Sequence, residues 1–277
     1  MTENGWFVGV DSDDTAAAVA RIIEGAADAP ADWPSEAVAA GFVADEDVYY
    51  ERLHAATVEA ARKEVVEKER ATDKQLIHAV RAMDDSRRMA NELAERVAEW
   101  AGSRFADAGT GVEYARDLAT REPEDAADEQ LISLATRCAE LDDEADALKQ
   151  FVEETTPLIA PNLSNLAEPV LAARLIALAG GLDTLAKKPS GTVQVLGAED
   201  ALFAHLKGQA SSPKHGIIFM HPAIRHTRRE DRGSASRALA GKLSIAARID
   251  HYAGDLRPEL KTELDERIAT IQARGEN

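Results

Sequence analysis

Two stretches of this 277-residue chain carry residue types at spacings that could do chemistry. The first is Asp11-Ser12-Asp13-Asp14-Thr15, directly after the apolar run Trp6 to Val10. An apolar strand ending in Asp-x-Asp-x-Thr can present one carboxylate as a nucleophile (Asp11) and a second as acid/base (Asp13), with magnesium held beside them for phosphoryl transfer. The same residues have a plainer use, because Asp14 or Thr15 can cap a short helix reaching Gly25 by accepting its free amide hydrogens. Phosphoryl transfer would also need a lysine and a further acidic pair on later strands of a doubly wound sheet, and no alternating β/α pattern follows. In a chain this rich in aspartate the spacing is read as coincidence.

The second stretch, Lys187 to Asp250, is the larger signal. It holds eleven Lys and Arg against five Asp and Glu, a net +6, while the whole chain carries −18 and the remainder therefore −24. Five of the seven histidines (His205, His215, His221, His226 and His251) lie in it or at its edge. A basic, His-rich island in an acidic background suits the binding of a polyanion. The single cysteine, Cys138, falls within an apolar heptad seam, where an inert thiol is expected. No catalytic, metal-binding or cofactor-binding residue is assigned.

The elements that position these residues read as helices. The apolar fraction of 45% comes largely from Ala, and aromatics make up only 5%, which suits long helices better than sandwiches or barrels. Regular apolar periodicity argues against disorder, so the acidity is read as adaptation to high salt. One cysteine makes no internal disulfide, the start MTENGW lacks the pattern of a signal peptide, and no apolar run is long enough for a membrane span. A cytoplasmic protein is expected.

In chain order, Trp6 to Val10 and Phe42-Val43 read as short strands, with a connector over Ala26 to Pro34. A long helix begins near Asp45, a second at Thr72 or Asp73, with apolar positions at three and four residues up to a stop at Gly102. A short helix near Val112 to Ala119 precedes the clearest pattern: Leu131, Leu134, Cys138, Leu141, Ala145, Leu148 and Val152 step 3, 4, 3, 4, 3, 4. Pro157 and Pro161 are read as a break, and Leu171, Leu175, Leu178, Leu182 and Leu185 as the returning helix of a hairpin coiled coil that dimerises. Beyond Gly180-Gly181, helices are expected over Gly197 to Leu206, Arg232 to His251 and Pro258 to Arg274. The fold class is mainly α: a small N-terminal α/β domain, a helical hairpin coiled coil and an all-α C-terminal domain. The expected domains are 1–105 (an α/β part to about 45, then long helices), 106–185 and 186–277.

Three ordered motifs then carry a family resemblance. Leu196 to Gly208 (LGAEDALFAHLKG), Pro213 to Ile224 (PKHGIIFMHPAI) and Asp231 to Asp250 (DRGSASRALAGKLSIAARID) resemble the motifs of archaeal Nop proteins, core scaffolds of box C/D ribonucleoprotein particles. Thr72 to Val80 and Asn91 to Trp100 are similar to the helical segment before that family's coiled coil. The resemblance implies an all-α domain that recognises a kink-turn guide RNA together with a small kink-turn-binding ribosomal-type protein. It also implies a coiled coil pairing two copies, and an N-terminal domain docking fibrillarin, a 2′-O-methyltransferase. RNA contact then falls to Lys214, His215, His221, Arg232, Arg237, Lys242 and Arg248, with Arg248 and Asp250 read as a structural pair. Partner-protein contact falls to Gly197, Ala198, Glu199 and Leu202, and dimerisation to Leu131, Leu134, Cys138, Leu141, Leu148, Leu175 and Leu178. Asp200, Ala204, Met220 and Ser234 depart from the family pattern, each removing a polar or cationic group from the presumed RNA face. The alternatives are a Nop-domain RNA-binding protein without fibrillarin docking, and a haloacid-dehalogenase-like phosphatase using Asp11 and Asp13.

Overall fold

In the computed structural model the described residues are 5–25, 31–69 and 71–275. They contain no strand, and they divide into two compact units, 1–71 and 72–277. Residues 1–4 of the start, and 26–30 of the expected connector, lie outside the described residues.

The described residues of the first unit form three helices, α1 (Thr15–Glu24), α2 (Trp33–Ala39) and α3 (Glu46–Glu69). The expected strand at Trp6 to Val10 is instead a run of turns, with Val8 N–H bonded to Gly5 O and Val10 N–H to Phe7 O. Aromatic packing replaces sheet pairing there. Trp6 stacks edge-on to Phe42 at 5.3 Å and donates its Nε1–H to Tyr49 Oη at 3.0 Å, while Phe7 is buried among Trp33, Phe42 and Tyr49. Phe42-Val43 is likewise no strand, since both residues serve this cluster. The small residues Ala18, Val19, Ala56 and Ala60 bring α1 close against α3.

The second unit starts with α4 (Thr72–Gly102), α5 (Gly111–Ala119) and α6 (Ala126–Ile159). Here the partner of the heptad seam differs from the expectation. The seam of α6 packs along α4, burying Leu131, Ala135 and Cys138 against Ala94, Val97 and Ala101 with Leu118 of α5. A heptad pattern fixes which face of a helix is apolar but not which helix covers it. Domain grouping shifts with it, because α4 belongs with α6 and not with the N-terminal part. Charge bridges lock the three helices. Asp142 is buried and accepts from Arg87 of α4 and from Arg116 of α5 (2.8 Å), while buried Asp128 accepts from Arg104 Nε at 2.5 Å.

Pro157 does not break α6. It sits two residues from the helix end, where the missing amide costs one hydrogen bond at most. The chain then folds into α7 (Pro161–Ala167), α8 (Pro169–Ala179), α9 (Leu182–Lys187), α10 (Ser190–Val195), α11 (Glu199–Leu206), a 3₁₀ turn at Ile217–Met220, α12 (Pro222–Arg225), α13 (Arg232–Tyr252) and α14 (Glu259–Gln272). The expected return helix over Leu171 to Leu185 is two helices, because Gly180 (φ 89°) turns the chain left-handed. Leu171, Leu175, Leu182 and Leu185 fill one core with the start of α4, α7, α10, α13 and α14.

Cys138 is fully buried, its thiol 3.2 Å from Ala90 O, and burial pushes its pKa up. A thiol-specific reagent such as a maleimide is therefore expected to leave the native chain unlabelled and to label it stoichiometrically in denaturant. Labelling of the native chain at the denatured rate would contradict this packing.

Candidate functional site

The basic island is assembled around the loop Pro213 to Ile217. Gly216 N–H donates to Gln194 O and Ile217 N–H to Leu196 O, each at 2.8 Å, and Gln194 Nε2 donates to Lys214 O at 2.7 Å. These bonds stitch the loop to the end of α10, whose Val193 and the adjoining Leu196 are in the core. The approach is so close that a Cβ on Gly216 would stand 2.0 Å from Leu196 O. Gly197 turns the chain with φ 81° between Leu178 and Ile217, a backbone that favours glycine.

Lys214 and His215 are thereby held on a fixed base. Lys214 is exposed and forms no ion pair among the described residues. The His215 ring stacks on Phe219 with centroids 4.5 Å apart, and the Arg232 guanidinium lies 5.2 Å over the same ring. Burial, helped by the Arg232 and Lys214 cations, holds the His215 imidazole below its ordinary pKa. The result is a shelf of uncharged aromatic rings edged by cations, suited to stacking a base while contacting phosphate.

Other expected RNA contacts are committed to the fold. His221 accepts Ala223 N–H on Nδ1 (3.1 Å) and so carries its proton on Nε2, which it donates to Leu166 O at 2.9 Å. Burial holds it neutral, so His221 is an internal strut. Lys242 pairs with Glu263 of α14, its side chain only 23% exposed. Arg248 donates Nε to Ala186 O at 3.1 Å and does not pair with Asp250, which is buried and bonded to Asn162 and Leu163. Arg237 is exposed, with no ion pair among the described residues.

Beside this shelf stands α11, which starts just after the residues that anchor the loop. It has no buried residue, and it exposes Phe203 (58%) and Leu206 (70%) with half-buried Leu202. Of the residues expected to meet a partner protein, Leu202 lies on this helix and Ala198 at its start. Gly197 and Glu199 mainly close the turn, Gly197 N–H donating to Glu199 Oε1 at 2.9 Å. Phe203 and Leu206 were missed by the sequence reading, although a helix of Ala, Leu and Phe with no seam to cover it carried the signal. Of the departures, Asp200 is exposed on α11, Ala204 half-buried, and Met220 half-exposed with Sδ 3.6 Å from Arg174 Nη1; Ser234 is half-buried in the first turn of α13.

Of the residues expected to dimerise, Leu131, Cys138 and Leu175 are fully covered by their own chain and offer nothing to a second copy. Leu134, Leu141 and Leu148 are half-buried, and Leu178 is 45% exposed. The acidic cluster near the N-terminus is also structurally employed. Asp14 caps α1 through Ala17 N–H, Asp11 accepts Asp13 N–H, and Asp13 pairs with Arg52 at 2.6 Å. Among the described residues no group of three or more His, Cys, Asp or Glu could hold a metal ion, and no helix is long and apolar enough to cross a membrane.

Comparison with known proteins adds to this geometry. A family model described as Nop, snoRNA binding domain, fibrillarin, matches residues 42–270. The chain is 32% identical over 269 residues to an uncharacterised NOP5 family protein of Methanocaldococcus jannaschii, covering 84% of this chain and 65% of that one. It is 29% identical over 246 residues to nucleolar protein 58 of Debaryomyces hansenii (73% and 47%). It is 41% identical over 124 residues to nucleolar protein 56 of Schizosaccharomyces pombe (45% and 25%). The chain thus spans less than two thirds of the length of these relatives. Among solved structures it is similar to a chain in the crystal structure of a fibrillarin/Nop5p complex, with a TM-score of 0.54 and 26% identity over 92% of this chain and 91% of that one.

Proposed function

The chain belongs to the Nop snoRNA-binding family, and from that membership we propose that it is a non-catalytic scaffold of a box C/D guide ribonucleoprotein directing RNA 2′-O-methylation. The shelf of Lys214, His215 and Arg232 meets a kink-turn RNA, and α11 meets the small ribosomal-type protein bound to that RNA. The hairpin of α4 and α6 pairs two copies, and the first compact unit docks a fibrillarin-type methyltransferase. The observation that carries this reading is the juxtaposition of a cationic, aromatic shelf with a helix that buries none of its own apolar residues. RNA alone would use the first, and only a protein would cover the second.

The chain's acidity sharpens the expectation. Counterion release supplies much of the affinity of basic RNA binders and fades as salt rises. With few free cations, this surface depends on stacking and on the partner protein. In a gel shift at high KCl, the chain should bind kink-turn RNA weakly alone and tightly once the RNA holds its small partner protein. Phe203→Asp with Leu206→Asp should lower affinity for that complex by about a hundredfold, the range of a lost apolar hot spot, without altering the weak binding to naked RNA. Tight binding to naked RNA would sink the composite surface. Co-purification with fibrillarin separately tests the docking role.

A further inference from the structure

Met220 ends the 3₁₀ turn that carries Phe219, and its surroundings differ from those of the other methionines. Met83 is 5% exposed in the core. Met89 is 43% exposed on α4, with no hydrogen-bond donor beside its sulfur among the described residues. Met220 is 50% exposed and has such a donor, because Arg174 Nη1 of α8 stands 3.6 Å from its Sδ. Arg174 gives Nε (3.2 Å) and Nη2 to the carboxylate of Asp84 on α4. That leaves Nη1 with the thioether alone among the described residues. A thioether sulfur is a weak acceptor, so one N–H of a charged donor is poorly answered.

There is also room beside the sulfur. Arg174, Met220, His221 and Pro222 line a cleft of about 180 Å³ together with Glu153 and Glu168. An added oxygen needs no more than a water's share of volume, about 30 Å³.

We propose that Met220 is a site of reversible oxidation whose sulfoxide is taken up by Arg174, fastening the turn beneath the aromatic shelf to α8. The oxidant is hydrogen peroxide. A sulfur lone pair attacks one peroxide oxygen, the S–O bond forms as the O–O bond breaks, and sulfur gives up two electrons. The departing hydroxide takes the proton from the transferred oxygen and leaves as water. Rotation about Cγ–Sδ then brings the new oxygen to Nη1, where a strong acceptor meets a charged donor. At Met89 the same reaction adds a polar group that gains no partner. At Met220 it supplies the acceptor that Nη1 lacks. The turn is closed by Phe219 N–H to Gly216 O and His221 N–H to Ile218 O, each at 3.0 Å, so tying Met220 down holds both bonds shut.

The test uses the full chain with Met89→Leu, treated with hydrogen peroxide and mapped by peptide mass spectrometry. Met220 should take up one oxygen while Met83 stays reduced. The thermal midpoint should rise by about 2–4 °C, the effect of one charge-assisted hydrogen bond in a chain of this size. Amide exchange at Phe219 and His221 should slow by about three- to tenfold. Methionine sulfoxide reductases should reverse both changes. Adding Met220→Leu should abolish the two responses, and Arg174→Lys should abolish the rise, since a single ammonium is taken by Asp84. Met220→Gln, which places an amide oxygen near the position of the sulfoxide oxygen, should show the higher midpoint without oxidant. Oxidation of Met1 is common to every variant and cancels. A midpoint that falls on oxidation, a rise that survives Met220→Leu or Arg174→Lys, or a Met220 as resistant as Met83 overturns the proposal. These readouts need no RNA, so the scaffold reading is tested separately.

Discussion

Gly216→Ala is expected to lower the thermal midpoint by about 6–12 °C and to reduce affinity for the kink-turn RNA–protein complex at least about a hundredfold. The new methyl carbon would stand 2.0 Å from Leu196 O and 2.6 Å from Val195 C. Both are backbone atoms, so no rotamer change relieves the clash. α10 cannot yield, because Val193 and Leu196 are in the main core. The loop must move instead, which parts Gly216 N–H from Gln194 O, Ile217 N–H from Leu196 O and Gln194 Nε2 from Lys214 O. Overpacking plus two or three lost hydrogen bonds comes to about 3 kcal/mol. The functional loss exceeds the loss of stability because Lys214 and His215 ride on this loop, and their displacement dismantles the stack on Phe219. Gly191→Ala is the control, since nothing lies within 4 Å of its added carbon, and it should leave both quantities unchanged. A Gly216→Ala chain with wild-type midpoint and affinity would show that the loop is free to move, and that this account of the shelf is wrong.

What could be read from the sequence divides along physical lines. The long helices α4, α6 and α13 were legible because each repeats apolar residues over several turns, and a helix of that length has few alternatives. The first-unit strands were misread because Trp6, Phe7 and Phe42 are as common in strands as in aromatic clusters, and only the fold shows which. The hairpin partner was misread because Leu171 to Leu185 carries the same spacing as a true seam, while the alanines of α4 that cover α6 carry little signal. In the site, the place of Lys214 and His215 on a loop was legible because Gly216 follows them directly. The loss of Lys242 was not, because its partner Glu263 lies 21 residues away on another helix. His221 could not be told from a ligand-facing histidine until its two ring nitrogens were seen to be occupied.

Asp250→Ala should cost about 3–5 kcal/mol in urea unfolding, because this carboxylate caps a helix from which it is distant in sequence. α7 begins after Ala160, which has no side-chain oxygen, and with Pro161, which has no amide hydrogen. The free amides of Asn162 and Leu163 are instead answered by Asp250 Oδ1 and Oδ2, each at 2.9 Å, and Asn162 Nδ2 adds a third bond at 2.6 Å. Asn162 carries the link onward, donating to Asp255 O at 2.9 Å and accepting Arg257 N–H at 2.7 Å, so one side chain pair joins α7, α13 and the turn into α14. Removing the carboxylate leaves two buried backbone donors unanswered, each costing about 1–3 kcal/mol less whatever water can enter, and takes one of two acceptors from Asn162 Nδ2, which keeps Asp255 O. Burial raises the Asp250 pKa against the pull of the Leu163 and Asn162 amides. A carboxyl whose proton affinity is higher in the fold contributes fully below the ordinary carboxylate pKa and loses that contribution as pH rises through the raised value. The stability gap between the wild type and Asp250→Asn, which does not titrate, should therefore be widest in acid and narrow to a constant at neutral pH. A gap that widens as pH rises would mean that the three donors outweigh burial, and that the carboxylate is held as a favoured anion.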